Sequence, residues 1–550
     1  NFESDASSGI VNLPQLSATG LGLQIDGKMK GQNMDSDEGT LDGRLTVKGN
    51  KLTPLLSAVG QQDLAKSVKA VDIDAGIKGT MADLTFSPLR MVLKVKSATA
   101  KKAVDVTLTA KTTRANLDKE TLVVDGLSLK GLGMNITGNV NATSIKTEPK
   151  FTGKLNVPAF NLRKVMASLN KKLPPMADRK TLTKFGMTTN FSGSSDSFAM
   201  KNLLMNLDRT LLTGNLSVAN FKTPAVRFDI EIDRINADSY LAPTPKGKAR
   251  RITPEAAAAG ATTLPLKTLR GLNINGKLAI KSLQISGAKM TDLNLKLNAK
   301  GGVIRMNPVS AALYQGNYTG NITLNAKKKA PDLKINSKLA GVDIESLLFD
   351  TTGDRSLSGI ANVDAKLRTN GRNSTQLTKR LSGPLKFSVL NGVYRGIDVA
   401  DMLAQLEVMI ESKRPGSIQK GGETRFQSLG GTIKFKNGVG TNNDLLMDGS
   451  GFKISGKGTV ANLRNNTMKY DAKVSVDSGT AQRGERNYNL GGYTVPIKCR
   501  GKLGANACKP DIGNIVAKIG KNAVKKEISK QLEKAIGGDA GKALKDIFKF

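Results

Sequence analysis

Apolar and polar residues alternate along much of this chain with a period of two. Residues 272–280 read Leu-Asn-Ile-Asn-Gly-Lys-Leu-Ala-Ile, residues 292–298 repeat the pattern with three leucines, and similar runs lie near residues 45, 104 and 321. Because successive side chains of a β-strand point to opposite faces of the sheet, each run predicts a strand with one apolar and one polar face. Parallel strands buried on both faces have continuous apolar runs instead. The pattern therefore predicts a long antiparallel β protein.

Helical periodicity is confined to a few segments. Apolar residues recur at helical spacing in residues 160–173, which end before Pro174-Pro175, and in residues 397–409. Shorter helices are predicted at residues 54–59 and 344–349. Helices are thus expected to be few and to interrupt the sheet only locally.

The same patterns divide the chain into four parts. Residues 1–240 and 264–510 carry the strand pattern, and we expect them to form the N-terminal and C-terminal parts of one β-groove. Between them, residues 241–263 contain three prolines and several basic residues, which predicts an exposed linker or lid. Residues 511–550 have apolar residues every three to five positions among lysines, which predicts a C-terminal amphipathic helix. The predicted fold class is mainly β: an elongated, coiled antiparallel β-sheet trough with a few short helices and this C-terminal helix.

The composition excludes most enzyme classes. The chain has 550 residues, two cysteines and no histidine. Without histidine it can form no Ser-His-Asp triad, no Cys-His dyad and no His-ligated zinc site, and two cysteines cannot complete a Cys-only structural zinc site. We therefore expect a protein that is not an enzyme and that needs no cofactor and no metal.

The charge suggests an anionic partner. Lys and Arg number 83 against 46 Asp and Glu, which gives a net charge of +37. Proteins that bind single-stranded nucleic acid need aromatic stacking platforms, and only 4% of these residues are aromatic, so we expect no nucleic acid. A solvated basic surface and attraction to anionic lipid or polysaccharide remain as alternatives. The basic C-terminal helix either packs on its own sheet or contacts the outer membrane.

Three segments come close to a phosphate-binding loop. Residues 22–28, 271–277 and 451–457 each have two glycines separated by four residues and followed by lysine. Each lacks the Ser or Thr that follows the lysine in such loops, and the intervening residues alternate as in a strand. We interpret the three segments as short strands bounded by glycines at turns or bulges.

Cys499 and Cys508 are the only cysteines, and two glycines lie between them. A hairpin there could bring the two thiols together. If the protein is exported to an oxidising compartment, we expect a disulfide that constrains the unfolded chain by roughly 2–3 kcal/mol. The alternative is two unrelated buried thiols.

The apolar faces of the predicted strands must be hidden from water. Globular β proteins hide such faces by packing two sheets together or by closing a barrel. In a long trough, the acyl chains of lipids could cover the apolar face instead, although the core of an ordinary sandwich would have the same Leu/Ile/Val-rich composition. The residues predicted to line such a lipid groove are Leu272, Ile274, Leu278, Ile280, Leu293, Leu295, Leu297, Phe452 and Ile454.

The C-terminal third resembles a known family. Residues 431–439 read Gly-Thr-Ile-Lys-Phe-Lys-Asn-Gly-Val, and residues 443–448 read Asn-Asp-Leu-Leu-Met-Asp. They are followed by Gly-Phe-Lys-Ile-Ser-Gly-Lys-Gly at residues 451–458 and by Val-Pro-Ile-Lys-Cys-Arg-Gly at residues 495–501. This order is similar to the C-terminal region of the AsmA family of Gram-negative envelope proteins, from about residue 390 onward.

The resemblance implies a function that the residue patterns alone do not give. It implies a periplasmic body with an elongated β-groove of the bridge-like lipid-transfer type, anchored to the inner membrane by an N-terminal helix that precedes this chain. It also implies movement of phospholipid between the inner and outer membranes and a role in outer-membrane biogenesis. No catalytic residues follow from it, and a periplasmic location favours the Cys499–Cys508 disulfide.

Two other classes of protein compete with this interpretation. The first is a structural or adhesive envelope protein built from β-repeats without a lipid conduit. The second is an outer-membrane barrel, which the terminal Phe550 suggests. Barrels show aromatic girdles and end in a β-strand, whereas this chain has no tryptophan and a C-terminal segment with a helical pattern.

Overall fold

The computed structural model describes the strands and many of their connections. The described residues are 3–5, 9–20, 22–36, 38–50, 52, 68–96, 103–169, 171–243, 263–395, 398–412, 422–476, 482–483, 486–487, 494–502 and 508–510. The predicted helix at residues 54–59, most of the 241–263 segment and the predicted C-terminal helix lie outside these residues.

The chain divides into two compact units. Unit 1 consists of residues 1–235 and 239–243, and unit 2 consists of residues 236–238 and 244–550. The strands of unit 1 are β1 (Glu3–Asp5), β2 (Ile10–Gly20), β3 (Leu23–Gln32), β4 (Thr40–Gly49), β5 (Val68–Thr80), β6 (Asp83–Val95), β7 (Val104–Ala110), β8 (Thr112–Asn116), β9 (Thr121–Gly131), β10 (Met134–Thr143), β11 (Lys150–Phe160), β12 (Phe185–Ser194), β13 (Ser197–Leu207), β14 (Thr210–Ala219) and β15 (Ala225–Asn236).

Unit 2 has the same kind of strands. They are β16 (Asn273–Ile285), β17 (Ala288–Lys300), β18 (Val303–Leu313), β19 (Gly316–Asn325), β20 (Asp332–Asp343), β21 (Leu357–Asn370), β22 (Gly383–Arg395), β23 (Glu423–Lys436), β24 (Val439–Gly449), β25 (Phe452–Asn462), β26 (Thr467–Val476), β27 (Gln482–Arg483), β28 (Arg486–Asn487), β29 (Thr494–Lys502) and β30 (Cys508–Pro510). In both units, the described strands pair antiparallel, mostly with the next strand in sequence. The prediction of a mainly antiparallel β fold is confirmed.

The described helices are short. They are α1 (Leu162–Ser168), α2 (Leu266–Gly271), α3 (Ile344–Thr352), α4 (Ser374–Lys379) and α5 (Val399–Ser412). Helices α3 and α5 match the predicted segments, whereas α1 ends five residues earlier than predicted, and α2 and α4 were not predicted. Both unpredicted helices have six residues, too few for a helical repeat to stand out in the sequence.

Helices α3 and α5 each pack on the apolar side of the sheet in unit 2. Helix α3 buries Leu348 in a cluster with Leu357, Ala361, Val389 and Phe426. Helix α5 contributes three residues to a larger buried cluster formed with strands β21–β23, β25, β26 and β29. The α5 members of that cluster are Val399, Met402 and Leu403, and its strand members include Ile433, Phe435, Phe452, Tyr470 and Val474.

Candidate functional site

The predicted groove residues of β16 and β17 share one face of a hairpin. In the strand register, Leu278 lies opposite Leu295, Ile280 lies opposite Leu293, and Leu297 lies opposite Gly276. Ile280 is buried, whereas the four leucines named here are half-buried, and the intervening Asn and Lys residues of β17 are exposed. Ile274 lies on the same face, and Leu272 precedes the first residue of β16 as the C-cap of α2. The structure therefore brings these predicted residues together.

The apolar face continues across the neighbouring strands. One row runs perpendicular to the strands through Leu297, Met306, Ile322, Ile335 and Leu367, one residue from each of β17–β21. With strands about 4.8 Å apart, such a row extends roughly 20 Å. Its first three residues lie outside the two buried clusters of the described residues, whereas Ile335 packs against the α5 cluster and Leu367 belongs to it. The open apolar face thus leads into the region covered by α5.

Unit 1 has an apolar row of its own, which the sequence patterns did not predict. Residues that lie directly opposite one another connect seven strands, and every member is half-buried. The row consists of Ile25, Val47, Ile73, Met91, Leu108, Leu129 and Ile136. Alternation within each strand is visible in the sequence, but the register that aligns these residues is not.

Phe452 and Ile454 lie in a different environment from the other predicted residues. Phe452 is only 3% exposed and belongs to the cluster that α5 covers, and Ile454 packs against that cluster. Both lie on the apolar side of β25, where Phe452 faces Val476 and Ile454 faces Val474. They form part of a closed protein core rather than of an open face.

An open cavity of about 1040 Å³ lies between helix α3 and the ends of strands β16–β19. The Tyr314 hydroxyl donates to the Asp350 carboxylate at 2.8 Å, and the Lys289 ammonium lies 3.1 Å from the same carboxylate. Burial, reinforced by the Asp350 charge, raises the pKa of Tyr314 to about 12, so this hydroxyl stays a donor at neutral pH. Nearby, the Arg355 guanidinium lies 3.8 Å from the centroid of the Phe349 ring. The cavity is therefore lined by both polar and apolar side chains.

Two further expectations from the sequence concern the pairing of the two cysteines and the binding of metal ions. Cys499 is disulfide-bonded, and Cys508, the only other cysteine, lies directly opposite it in the β29–β30 pair. Within the ranges that the structure describes, no group of three or more His, Cys, Asp or Glu residues could hold a metal ion. The most extensive chemical feature of the described residues is thus the apolar face rather than a cluster of reactive groups.

Comparison with known families identifies the family of this chain. The sequence profile of the AsmA family matches residues 107–445, which is more than half of the chain. The chain belongs to the AsmA family. The match covers β8–β23 and most of β24, so it includes the open apolar face of unit 2 and about half of the apolar row of unit 1. A comparison with curated protein sequences gave no significant match.

Membership of the AsmA family indicates a role in the cell envelope that is related to lipids. The resemblance found from residue 390 onward overlaps the matched region as far as residue 445, and the match extends much further toward the N-terminus. Among the described helices of this AsmA-family protein, none is long and apolar enough to cross a membrane.

Proposed function

We propose that this AsmA-family protein carries phospholipid along the apolar faces of its two units, between the inner and outer membranes of a Gram-negative envelope. The observation that supports the proposal is the apolar row from β17 to β21. Its residues are apolar, aligned across successive strands and only half-buried toward its β17 end. In water, such a surface is costly unless another apolar molecule covers it.

Acyl chains fit this surface on energetic grounds. Each buried CH₂ group contributes about 0.8 kcal/mol, so affinity would come from contact area rather than from a specific pocket. A surface of this kind lets a lipid slide from one row of residues to the next, since neighbouring positions offer similar apolar contacts. The protein would support outer-membrane biogenesis without a catalytic step.

The proposed location is the periplasm. The Cys499 disulfide supports it, because such bonds persist in oxidising compartments and are rare in the cytosol. The proposed partners are phospholipid in the groove and the inner membrane, to which members of the family are expected to be anchored. The basic C-terminal segment is a further candidate for contact with the outer membrane.

Photo-crosslinking tests the path residue by residue. A photoreactive amino acid at position 295 should form lipid adducts, and the same amino acid at position 296 should form few. Leu295 lies on the apolar face and is half-buried, whereas Lys296 points to the opposite face and is exposed. Met91 and Arg90 provide the same kind of matched pair in unit 1. Equal labelling within both pairs, or no lipid adduct at any position, would refute the proposal.

A charge placed on the path should block it. Leu295→Asp would require lipid chains to pass a carboxylate, whose desolvation is costly in an apolar environment. We expect lipid co-purification and transfer between vesicles to fall at least tenfold, while Lys296→Asp leaves both close to wild type. A structural or adhesive protein without a conduit would carry no phospholipid after purification, and neither variant would change that result.

A further inference from the structure

The turns of unit 2 segregate charge onto opposite edges of its sheet. Because consecutive strands are antiparallel, alternate connections lie at the same edge. We call one edge the basic rim; it comprises the strand ends and connections at residues 263–273, 300–303, 325–332, 370–383, 436–439, 462–467 and 502. Within these segments, twelve exposed cations stand against one carboxylate, Asp332. The cations are Lys267, Arg270, Lys300, Lys327, Lys328, Lys329, Arg372, Lys379, Arg380, Lys436, Arg464 and Lys502.

The opposite edge has the reverse charge. We call this edge the acidic rim; it comprises α3, α5 and the terminal residues of the strands beside them, at residues 343–357, 395, 398–412 and 422–423. Counting only side chains that the structure describes, it has two arginines, Arg355 and Arg395, against eight carboxylates. These carboxylates are Asp343, Glu345, Asp350, Asp354, Asp398, Asp401, Glu407 and Glu423. The chain as a whole has fewer than two basic residues for each acidic one, so the general composition does not account for either rim.

Hydrogen bonds between neighbouring turns fix the basic rim. The Ala326 amide donates to the Gly302 carbonyl at 2.7 Å, and the Arg270 guanidinium donates to the Ala326 and Lys328 carbonyls at 2.8 and 3.1 Å. Farther along, the Leu463 amide donates to the Gly438 carbonyl at 2.7 Å. Successive turns at one edge are two strands apart, about 9.6 Å. The lysines therefore stand in a line on a fixed backbone.

These cations have few partners within the protein. Among the described residues of the basic rim, Lys328 forms the one ion pair, with Asp332 at 3.1 Å. Like charges at such close spacing repel one another, and an anionic ligand would relieve that repulsion. The rim segments also contain no aromatic residue, so they offer no platform on which nucleobases could stack.

The basic rim borders the open apolar face. The row nearest to this rim contains Ile274, Ala299, Ile304, Leu324 and Leu333, one residue from each of β16–β20. The turn with Lys327, Lys328 and Lys329 connects β19 to β20 and follows Leu324 closely in the chain. Lys300 lies at the same edge, but its position in β17 places it on the opposite face from Ala299. Aliphatic and cationic side chains thus follow one another along the strand direction. A molecule with an apolar body and an anionic end would match both.

We propose that the basic rim of unit 2 holds the phosphate groups of lipids whose acyl chains lie on the adjoining apolar face, so that the protein favours anionic phospholipids over neutral lipids. The inference rests on the proposed lipid function and adds the class of headgroup and its orientation. The acidic rim repels the same phosphate, so one edge of the sheet becomes the headgroup edge.

The test uses two variants that remove the same amount of charge. The rim variant combines Lys267→Gln, Lys327→Gln and Lys329→Gln, which leaves Arg270 and the Lys328–Asp332 pair intact. The control variant combines Lys296→Gln, Lys338→Gln and Lys457→Gln, three exposed lysines within strands β17, β20 and β25. Each purified full chain is incubated with phosphatidylcholine vesicles that contain equal amounts of phosphatidylglycerol and diacylglycerol with identical acyl chains. Protein-bound lipid is then quantified by mass spectrometry.

We expect wild type and the control variant to extract phosphatidylglycerol in preference to diacylglycerol. In the rim variant, the ratio of the two extracted lipids should fall by about tenfold, which corresponds to about 1.4 kcal/mol divided among three exposed charge interactions. Total diacylglycerol extraction should stay the same, because the apolar face is unchanged. Inorganic phosphate at millimolar concentration should not displace the bound phosphatidylglycerol.

Other outcomes would overturn the inference in distinguishable ways. An unchanged lipid ratio in the rim variant would show that lipid binding does not depend on headgroup charge at this rim. That result would leave the proposed lipid function intact. Displacement by inorganic phosphate would indicate a site for a soluble anion. Loss of vesicle binding with an unchanged lipid ratio would show that the rim binds the membrane surface rather than the headgroups of extracted lipids. Absence of any extracted lipid from the wild type would refute the lipid function itself.

Discussion

Asp208 joins three segments of unit 1 through one carboxylate. The backbone amides of Leu182, Thr183 and Lys184 donate to it, and so does the Tyr240 hydroxyl at 2.8 Å. Burial raises the pKa of Asp208, but these donors outweigh that effect and leave the pKa below its usual value. A single ionised side chain therefore holds the loop before β12 against the end of the unit.

The lowered pKa predicts loss of stability in acid. A depressed pKa stabilises the folded state above the pKa of the unfolded chain, about 3.9, and this contribution disappears as the pH falls through the folded-state pKa. Asp208→Asn should therefore lower the stability of unit 1 by about 1 kcal/mol at pH 7 and by much less at pH 3. Scanning calorimetry of both proteins at the two pH values measures the difference. An equal deficit at both pH values would contradict the assignment.

Tyr470 and Asn442 form a polar pair inside the core that α5 covers. The Tyr470 hydroxyl donates to the Asn442 side-chain carbonyl, which also accepts from the Leu445 amide at 3.1 Å. The Asn442 amide group donates to the Thr432 carbonyl and to Asp444. Tyr470 and Asn442 are 5% and 1% exposed. Their polar atoms are thus satisfied in a region where an unpaired polar group is costly.

The two side chains should differ in their effect when replaced. Tyr470→Phe removes one hydrogen bond but leaves Asn442 with its other partners, so we expect a loss of about 1 kcal/mol in the free energy of unfolding. Asn442→Ala leaves the Tyr470 hydroxyl buried without an acceptor and opens a cavity, so its cost should be about 3 kcal/mol. Denaturant unfolding of the wild type and of each variant measures the two losses of unfolding free energy. A larger loss in Tyr470→Phe than in Asn442→Ala would be inconsistent with this arrangement.

Helix α5 determines where the apolar face of unit 2 is closed. Its residues Val399, Met402 and Leu403 are each at most 5% exposed, whereas Val408 on the same helix is 62% exposed. The helix is amphipathic, and its apolar side packs on β-strands that would otherwise present an open face. Element packing, rather than strand composition, thus separates a protein core from a candidate lipid surface.

Leu403→Ala should weaken the contact of α5 with the sheet. Removal of a buried leucine side chain costs about 2–5 kcal/mol, whereas Val408→Ala on the exposed side should change stability by less than about 0.5 kcal/mol. Hydrogen exchange of the α5 amides measures the local opening. With a photoreactive residue at position 452, lipid adducts should be scarce in wild type and increase in Leu403→Ala. Abundant adducts in the wild type would show that α5 does not close the face.

At the scale of the whole molecule, we propose the basic C-terminal segment as a second point of contact with membranes. Residues 512–550 contain nine lysines and four acidic residues, a net charge of +5. Such a segment should attract anionic bilayers through long-range electrostatics that salt screens. This attraction differs from the proposed headgroup contacts of the basic rim, which depend on the fold of unit 2.

Truncation after Asp511 separates the two contributions. We expect the shortened chain to sediment several-fold less with phosphatidylglycerol-containing vesicles at 50 mM salt, and we expect the difference to shrink at about 500 mM salt, where the screening length falls to a few ångströms. Lipid extraction by unit 2 should be unaffected. Equal sedimentation of the two chains would leave the segment with a packing role only.

Much of the fold and part of the candidate site follow from local sequence patterns. Alternation determines which side chains share a face of a strand, because successive residues of any strand point to opposite sides. For this reason, Leu278, Ile280, Leu293, Leu295 and Leu297 were assigned to one face without knowledge of the strand order. The longer helices α3 and α5 also follow from local spacing of apolar residues.

The tertiary structure decided the features that depend on register and strand order. It aligned the apolar row of unit 1, which includes Met91, and this alignment cannot be read from any single strand. It also placed Phe452 beneath α5 in a closed core. It also placed basic turns on one edge of unit 2 and acidic helices on the other. Residues such as Lys300 and Lys327 are distant in sequence, and they share an edge because antiparallel pairing returns the chain to that edge after every second strand.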